Sequence, residues 1–478
     1  MQPIPRILAF GVILCLLAGC SPPAAATATP LPPPSPTASQ ATNPPAGTPA
    51  APSFDTLKPL AAAFVDLLVM GDFATAFGSF DDTMKNALPE AKLKQTWEQL
   101  IAQVGAFQQQ TGMRTAEAQG YFIVFVTCQF EKAAIDVRVV FNSKAQISGL
   151  FFSPSQTAGS SEKAYNPPVY VNRESFQEAE VTIGSGEWAL PGTLSLPNGD
   201  GPFPGVVLVH GSGPNDRDET IGPNKPFRDL AWGLASQGVA VLRYDKRTLV
   251  HASLFTPEIL ATLTVQEETI DDALLAARLL RETKGIDPRR VYVLGHSLGA
   301  MVAPRIGQQD ASLAGLILMA APARPLEDLA LEQFTYLYNL DGVLSDQEKA
   351  DMEILKTQVA RVKDANLSPV TSSQDLPLGI WPVYWLDLRG YQPVEAAGSL
   401  VMPLLVLQGG RDYQVSPVND FEVWKAAFSG TASVTLKLYP DLNHLFISGE
   451  GQPNPQEYET EGHVSVDVVN DIAGWIKQ

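Results

Sequence analysis

One serine in this sequence lies between glycines spaced for a sharp turn from a strand into a helix. The pentapeptide GHSLG, residues 295–299, follows an apolar run at 291–294 and precedes helix-forming residues. A direct strand-to-helix connection strains the residue at the turn, and small residues two positions before and after it make this possible. Ser297 occupies that turn, where its hydroxyl would project above the sheet. It is therefore a candidate nucleophile.

A serine hydroxyl is a weak nucleophile at neutral pH and needs a histidine that is held by a carboxylate. His444 follows the last predicted strand, in a loop that can return its imidazole to the serine. Asp412 follows an apolar strand and a glycine turn, and it lies between the serine and the histidine in chain order. Asp387 and Asp441 are rival carboxylates. We predict the catalytic triad Ser297, Asp412 and His444.

Attack on a carbonyl carbon creates an oxyanion, which two backbone N–H groups can stabilise by roughly 3 kcal/mol each. Leu298, directly after the serine, supplies one of them. The second is expected from the glycine-containing loop at 210–214, after the first predicted parallel strand. We predict the Ser212 N–H as this donor, with Gly213 as the substitute.

The elements that must position these residues alternate between strand and helix patterns over residues 179–478. Strand-like runs occur at 205–209, 239–244, 291–294, 313–319, 404–407 and 434–439 after an antiparallel hairpin, with helical patterns at 227–236, 265–280 and after Ser297. This alternation predicts an α/β fold, a mostly parallel sheet with helices on both faces. Ligands of such sheets bind beyond the carboxyl ends of the strands.

A long insertion at about 323–400 interrupts the alternation and has helical apolar spacing. Its position after a strand end predicts a lid over the site. The insertion is rich in aromatic residues near its end. Trp381, Tyr384 and Trp385 are candidate substrate contacts, although they could instead pin the lid to the sheet.

The region 179–478 resembles the α/β-hydrolase superfamily. Two of its segments, HGSGPNDRDE at 210–219 and YDKR at 244–247, resemble the bacterial carboxylesterase group within it. This resemblance implies hydrolysis of carboxylic esters through an acyl-serine, with neither a metal nor an organic cofactor, and it implies the same triad. The group often has glycine after YDKR, where this chain has Thr248.

Two pairs of adjacent acidic residues have alternative roles. Asp218 or Glu219 is expected either to pair with Arg247 or to be solvated. Glu267 and Glu268 are expected to form the solvated first turn of an amphipathic helix, since carboxylates there complement the helix dipole. The alternative is an anionic site for the amino terminus of a peptide.

The favoured function is a serine carboxylesterase acting on small to medium esters. A serine peptidase or aminopeptidase of the same fold uses identical catalytic parts and is the first alternative. A thioesterase ranks lower because the sequence has no evident basic patch for a coenzyme A phosphate. A binding protein with a vestigial site is disfavoured by the complete triad.

The residues before the hydrolase-like region form a separate unit. Residues 54–154 have helical apolar spacing followed by strand patterns, which predicts an α+β domain. The order of these helices and strands resembles that of the nuclear transport factor 2-like fold. We expect this domain to have a binding or spacer role. Residues 155–178 are polar and contain proline, and they are expected to form a linker.

The amino terminus resembles a bacterial lipoprotein signal. A short apolar run within residues 1–19 precedes Cys20, which implies cleavage before this cysteine and its acylation. The alternative is an ordinary secretory signal. Residues 20–53 are rich in proline, alanine and threonine and predict a disordered tether. We therefore expect a lipid-anchored, extracytoplasmic protein of the cell envelope.

Charge and cysteine content narrow the expected partners. The net charge of −18 argues against nucleic acid, which needs a basic surface. Of the three cysteines, only Cys128 remains in the folded part, so neither a disulfide framework nor a cysteine metal site is expected. The expected partners are a small ester substrate and, through the anchor alone, a membrane; the sequence leaves the oligomeric state open.

Replacing Cys20 by serine should release the protein from the membrane fraction without changing its specific activity, because a long tether separates the anchor from the catalytic region. Fractionation of cells and an esterase assay on each fraction measure this. A Cys20→Ser protein that stays membrane-bound after signal cleavage would contradict lipidation.

Overall fold

The structure is a computed structural model that describes residues 52–118, 121–155 and 165–478. The proposed signal, Cys20 and nearly all of the tether lie outside the described residues. The described chain divides into two compact units, with the boundary between Tyr165 and Asn166. Within the described ranges, no helix is both long enough and apolar enough to cross a membrane.

The first unit is α+β, with helices followed by an antiparallel sheet in the predicted order. Its helices are α1 Phe54–Met70, α2 Phe73–Gly78, α3 Asp82–Ala87 and α4 Glu90–Val104; its strands are β1 Phe107–Ala118, β2 Tyr121–Phe130, β3 Ala134–Phe141 and β4 Ile147–Pro154. The strands pair in sequence order. Helix α1 buries Leu57, Phe64 and Leu68, which share one face at helical spacing. On β2, Cys128 is fully buried, and burial raises the pKa of its thiol to about 12.

The second unit is built on a mixed sheet. Its strands are β5 Phe176–Ile183, β6 Leu190–Pro197, β7 Phe203–Val209, β8 Ala240–Tyr244, β9 Ile286–His296, β10 Gly315–Met319, β11 Leu404–Gly409 and β12 Val434–Tyr439. The spatial order is β12-β11-β10-β9-β7-β8-β6-β5. Strands β7 to β12 are parallel, and the β5–β6 hairpin joins β8 in antiparallel register. The predicted mostly parallel sheet is confirmed.

Helices cover both faces of this sheet. They are α5 Pro226–Ser236, α6 Arg247–Val250, α7 Pro257–Leu260, α8 Asp271–Glu282, α9 Leu298–Gln309, α10 Leu326–Tyr338, α11 Asp346–Lys363, α12 Pro382–Leu388, α13 Pro393–Gly398, α14 Glu422–Phe428 and α15 Val466–Lys477. Alternate residues of β7 enter two separate cores, Val207 and Val209 with α8 and α9, and Val206 and Leu208 with α5 and α15. The central strands are apolar on both faces for this reason.

The expected insertion lies between β10 and β11 and contains helices α10 to α13. It leaves the sheet at the carboxyl end of β10, the same edge at which β9 ends in His296. Bidentate hydrogen bonds of 2.8 and 2.9 Å from Arg305 on α9 to Asp387 on α12 fasten the insertion to the helix that follows Ser297. The insertion is therefore attached next to the candidate site.

Candidate active site

Ser297 forms the turn between β9 and α9. Its backbone has φ 55° and ψ −117°, a strained positive-φ conformation that costs roughly 1–3 kcal/mol for a residue other than glycine. Neither flanking glycine has room for a side chain. A methyl group at Gly295 would lie 2.3 Å from the Gly299 backbone, and one at Gly299 would lie 2.3 Å from the Val209 carbonyl oxygen. The Ser297 N–H donates to the Met319 carbonyl of β10 at 3.0 Å, which fixes the turn to the next strand.

Asp412 and His444 meet beyond the ends of β11 and β12. The His444 Nδ1 lies 2.8 Å from the Asp412 Oδ2, and both side chains are buried. Three further donors hold the carboxylate, namely the N–H groups of Gln414 and Val415 at 2.8 and 2.9 Å and the Gln408 amide at 3.1 Å. The carboxylate is thereby fixed in one orientation towards the imidazole.

The loop that carries His444 and the serine turn are joined directly. The Nε2 of His296, the residue before the serine, lies 3.0 Å from the His444 carbonyl oxygen, and the centres of the two imidazole rings are 4.7 Å apart. The rival carboxylates lie elsewhere, because Asp387 pairs with Arg305 and Asp441 is exposed. The structure thus brings the three predicted triad residues to one edge of the sheet.

The loop after β7 lies against the serine turn. A methyl group at Gly211 would be 3.2 Å from the Ser297 Cβ, so this loop passes close to the Ser297 side chain. Ser212 is exposed at the loop surface, and Gly213 has a φ of 94°. Leu298 is the first residue of α9, where a backbone N–H has no acceptor inside the helix. These are the two positions predicted for the oxyanion donors.

Comparison with known proteins assigns the chain to a family. A family model described as serine aminopeptidase, S33, matches residues 206–451, and one described as a protein of unknown function, DUF3887, matches residues 61–150. Esterase EstD from Thermotoga maritima is 41% identical over 413 residues, which cover 86% of this chain and 93% of that protein. The chain belongs to the α/β-hydrolase family of esterase EstD. It is a hydrolase.

Solved structures with a similar fold are more distant from this hydrolase. Est1E from Butyrivibrio proteoclasticus is 14% identical with a TM-score of 0.40, and the match covers 62% of this chain and 98% of that one. An acylaminoacyl peptidase in complex with a chloromethyl ketone is 14% identical with a TM-score of 0.42, and the match covers 77% and 56% of the two chains. Likeness at this distance does not indicate an activity.

A buried ion pair of the hydrolase beside the serine turn was not apparent from the sequence. The Glu219 Oε2 lies 2.9 Å from the His296 Nδ1, although neither atom has a well-aligned hydrogen-bond partner among the described residues. Burial opposes a charge on His296, but the facing carboxylate outweighs burial and raises the His296 pKa. Burial likewise opposes ionisation of Glu219, yet His296 and the Gly211 N–H lower the Glu219 pKa.

The expected pairing of Arg247 with Asp218 or Glu219 is wrong. Arg247 donates to Asp272 on α8 in a bidentate pair, at 2.7 and 2.6 Å. Asp218 instead pairs with Arg243, which is buried on β8. In each pair the arginine lies 25 residues from its carboxylate in the sequence. Only the packing of α8 and β8 against the loops brings the two partners together.

The expectation of a solvated glutamate pair is also wrong. Glu268 is buried in a π-helical turn before α8, where it accepts from Lys246 at 2.8 Å and from the Tyr384 hydroxyl at 2.6 Å. Glu267 caps the same turn by accepting from the Thr264 N–H at 2.9 Å. Both carboxylates are engaged within the protein. The signal that could have indicated burial was Lys246, a cation two residues after the end of β8.

The three lid aromatics differ in their surroundings. Trp385 is 1% exposed and packs in the core between sheet and insertion, and Tyr384 is buried against Glu268. Trp381 is half-buried, and its indole N–H has no acceptor in the described part of the chain. Among residues 165–478, no group of three or more His, Cys, Asp or Glu is arranged to hold a metal ion.

Replacing Asp412 by asparagine should lower kcat for an activated ester by about four orders of magnitude, because the carboxylate charge that orients the His444 imidazole is lost. Asp387→Asn is the matched control, since it removes a carboxylate that pairs with Arg305 and not with His444. Steady-state kinetics of both variants measure this. A larger loss in Asp387→Asn than in Asp412→Asn would assign the acid to the insertion.

Proposed function

We propose that this chain is a serine carboxylesterase that hydrolyses small to medium carboxylic esters through an acyl-serine intermediate. Its relationship to esterase EstD makes it a hydrolase with ester-hydrolysing activity. The serine mechanism is supported by one observation above all. The Asp412–His444 pair, at 2.8 Å, is joined to the serine turn through the 3.0 Å contact of His296 with the His444 backbone.

The chemistry follows from these positions. The His444 Nε2 takes the proton of the Ser297 hydroxyl as its oxygen attacks the ester carbonyl, and Asp412 stabilises the imidazolium that forms. The carbonyl oxygen becomes an oxyanion facing the Leu298 and Ser212 N–H groups. His444 then protonates the leaving alcohol, which gives the acyl-serine. Water, activated by His444 in the same way, releases the acid.

A serine aminopeptidase is the second candidate, because the family model that matches residues 206–451 carries that description. Such an enzyme needs a group to accept the charged amino terminus of its substrate. The adjacent glutamates do not offer one, since Glu268 is bound by Lys246 and Tyr384 and Glu267 caps its own turn. Neutral esters are therefore the favoured substrates.

We further propose that the enzyme acts on the outer side of a bacterial membrane. This proposal rests on the signal-like residues 1–19, on Cys20 and on the tether that follows, all read from the sequence. The amino-terminal α+β unit is proposed as a binding or spacer domain between the anchor and the catalytic unit.

Ser297→Ala should lower kcat for p-nitrophenyl butyrate by about three orders of magnitude or more while the melting temperature stays near that of the wild type, because acyl-enzyme formation is lost. A fluorophosphonate probe should label the wild type and not the variant. Near-full activity in the variant would refute the serine mechanism. Faster cleavage of aminoacyl amides than of matched neutral esters, corrected for intrinsic reactivity, would favour the peptidase.

Trp381→Ala should change the preference for acyl-chain length in kcat/KM, because a half-buried indole on the lid is available to contact an acyl chain. Trp385→Ala removes a core side chain and should instead lower stability by about 3–5 kcal/mol with the preference unchanged. A series of p-nitrophenyl esters and thermal melts separate the two effects. An unchanged preference in Trp381→Ala would leave this residue a structural role.

A further inference from the structure

The peptide unit between Gly211 and Ser212 carries the N–H proposed to face the oxyanion. A trans peptide is planar, so its C=O and its N–H point in opposite directions. The Gly211 carbonyl oxygen accepts a hydrogen bond from the Lys246 Nζ at 2.9 Å. Whatever holds this carbonyl therefore also sets the direction of the Ser212 N–H.

Lys246 is an unusual residue to hold this carbonyl, because its charged side chain is only 2% exposed. A buried ammonium is costly unless it is paired, and Glu268 supplies the partner at 2.8 Å. A buried ion pair adds little net stability over apolar residues of the same volume. What the ammonium adds here is a donor at a fixed point behind the Gly211 carbonyl.

The Lys246–Glu268 pair is connected to the insertion between β10 and β11. The hydroxyl of Tyr384, on α12, donates to the second Glu268 oxygen at 2.6 Å. Burial and the facing carboxylate raise the pKa of Tyr384 well above its usual value, so the hydroxyl keeps its proton. A continuous chain of contacts thus runs from the lid through Glu268 and Lys246 to the Gly211–Ser212 peptide.

Two other groups hold the same loop. Glu219 accepts the Gly211 N–H at 2.7 Å, which fixes the preceding peptide unit. The Asn215 side-chain amide donates to the Ser212 carbonyl at 3.0 Å and more weakly to that of Gly211 at 3.3 Å. Among the described residues, Lys246 is the charged donor on the peptide that bears the proposed oxyanion N–H.

We propose that Lys246 is a positioning residue that orients the Ser212 N–H towards the oxyanion, and that Tyr384 makes this orientation depend on the placement of the lid. The proposal rests on the serine mechanism given above. Lys246 acts through the peptide and does not contact the substrate. Loss of the chain should weaken stabilisation of the tetrahedral intermediate and leave binding of the ester ground state nearly unchanged.

The protein contains a closely matched control. Arg247 follows Lys246, and Asp272 lies four residues after Glu268; the partly buried Arg247 and the buried Asp272 form an ion pair whose two hydrogen bonds involve neither the oxyanion loop nor the lid tyrosine. Lys246→Met/Glu268→Gln and Arg247→Met/Asp272→Asn each remove one ion pair without leaving an unpaired charge. A purely structural role for Lys246 predicts similar behaviour of the two double variants.

The experiment compares kcat and KM for p-nitrophenyl butyrate with the inhibition constant of butylboronic acid, all normalised to active sites by fluorophosphonate titration. The boronate forms a tetrahedral serine adduct whose hydroxyl occupies the oxyanion position. Lys246→Met/Glu268→Gln should lower kcat by about tenfold or more and weaken boronate inhibition in parallel, with KM within about twofold. Arg247→Met/Asp272→Asn should keep kcat and boronate inhibition near wild type, even if its melting temperature falls.

Equal kcat and boronate affinity in the two double variants would overturn the proposal. Tyr384→Phe removes only a hydroxyl and serves if the first double variant does not fold. It should lower kcat and boronate affinity together by about threefold, and unchanged values would overturn the proposed chain from the lid. The Ser297→Ala variant keeps the two proposals separate. An active Ser297→Ala enzyme would refute the serine mechanism itself. If Ser297→Ala is inactive, the Lys246 variants alone decide the role of Lys246.

Discussion

The close approach of α9 to strands β7 and β9 is the constraint on which the rest of the site depends. With no side chain at Gly295 or Gly299, the helix begins within contact distance of both strands. Ser297 is forced into a positive-φ conformation as a result, and its N–H donates to Met319 of β10. The strain, roughly 1–3 kcal/mol, is offset by the fully buried strands on either side. The same approach places the start of α9 directly after the serine turn.

Charged groups around this turn occur as pairs, and each pair fastens one loop. Asp412 holds His444, Glu219 joins the loop after β7 to the residue before the serine, and Glu268 neutralises Lys246. Buried pairs of this kind contribute little net stability, but breaking one by removing a single partner is costly. Their value to the enzyme lies in geometry, because a carboxylate with several donors has few alternative positions.

The strands and the serine turn could be predicted because each depends on local sequence. Fully buried parallel strands appear as short apolar runs, and the glycines around Ser297 report a steric requirement of that turn alone. The partners of Arg247 and the burial of Glu268 could not be predicted in this way. Each depends on a residue more than 20 positions away, and a charged residue at a helix start has the same local pattern whether it faces water or a lysine.

Because Cys128 is buried, a cysteine introduced into the catalytic unit could be labelled selectively. Its thiol is fully enclosed in the first unit and its pKa is about 12, so at neutral pH it is neither exposed nor ionised. After Cys20 the sequence has no other cysteine. A cysteine introduced on the surface of α11 would thus be the reactive thiol of the folded chain under native conditions. A fluorophore attached there could report movement of the insertion during turnover without removal of the native Cys128.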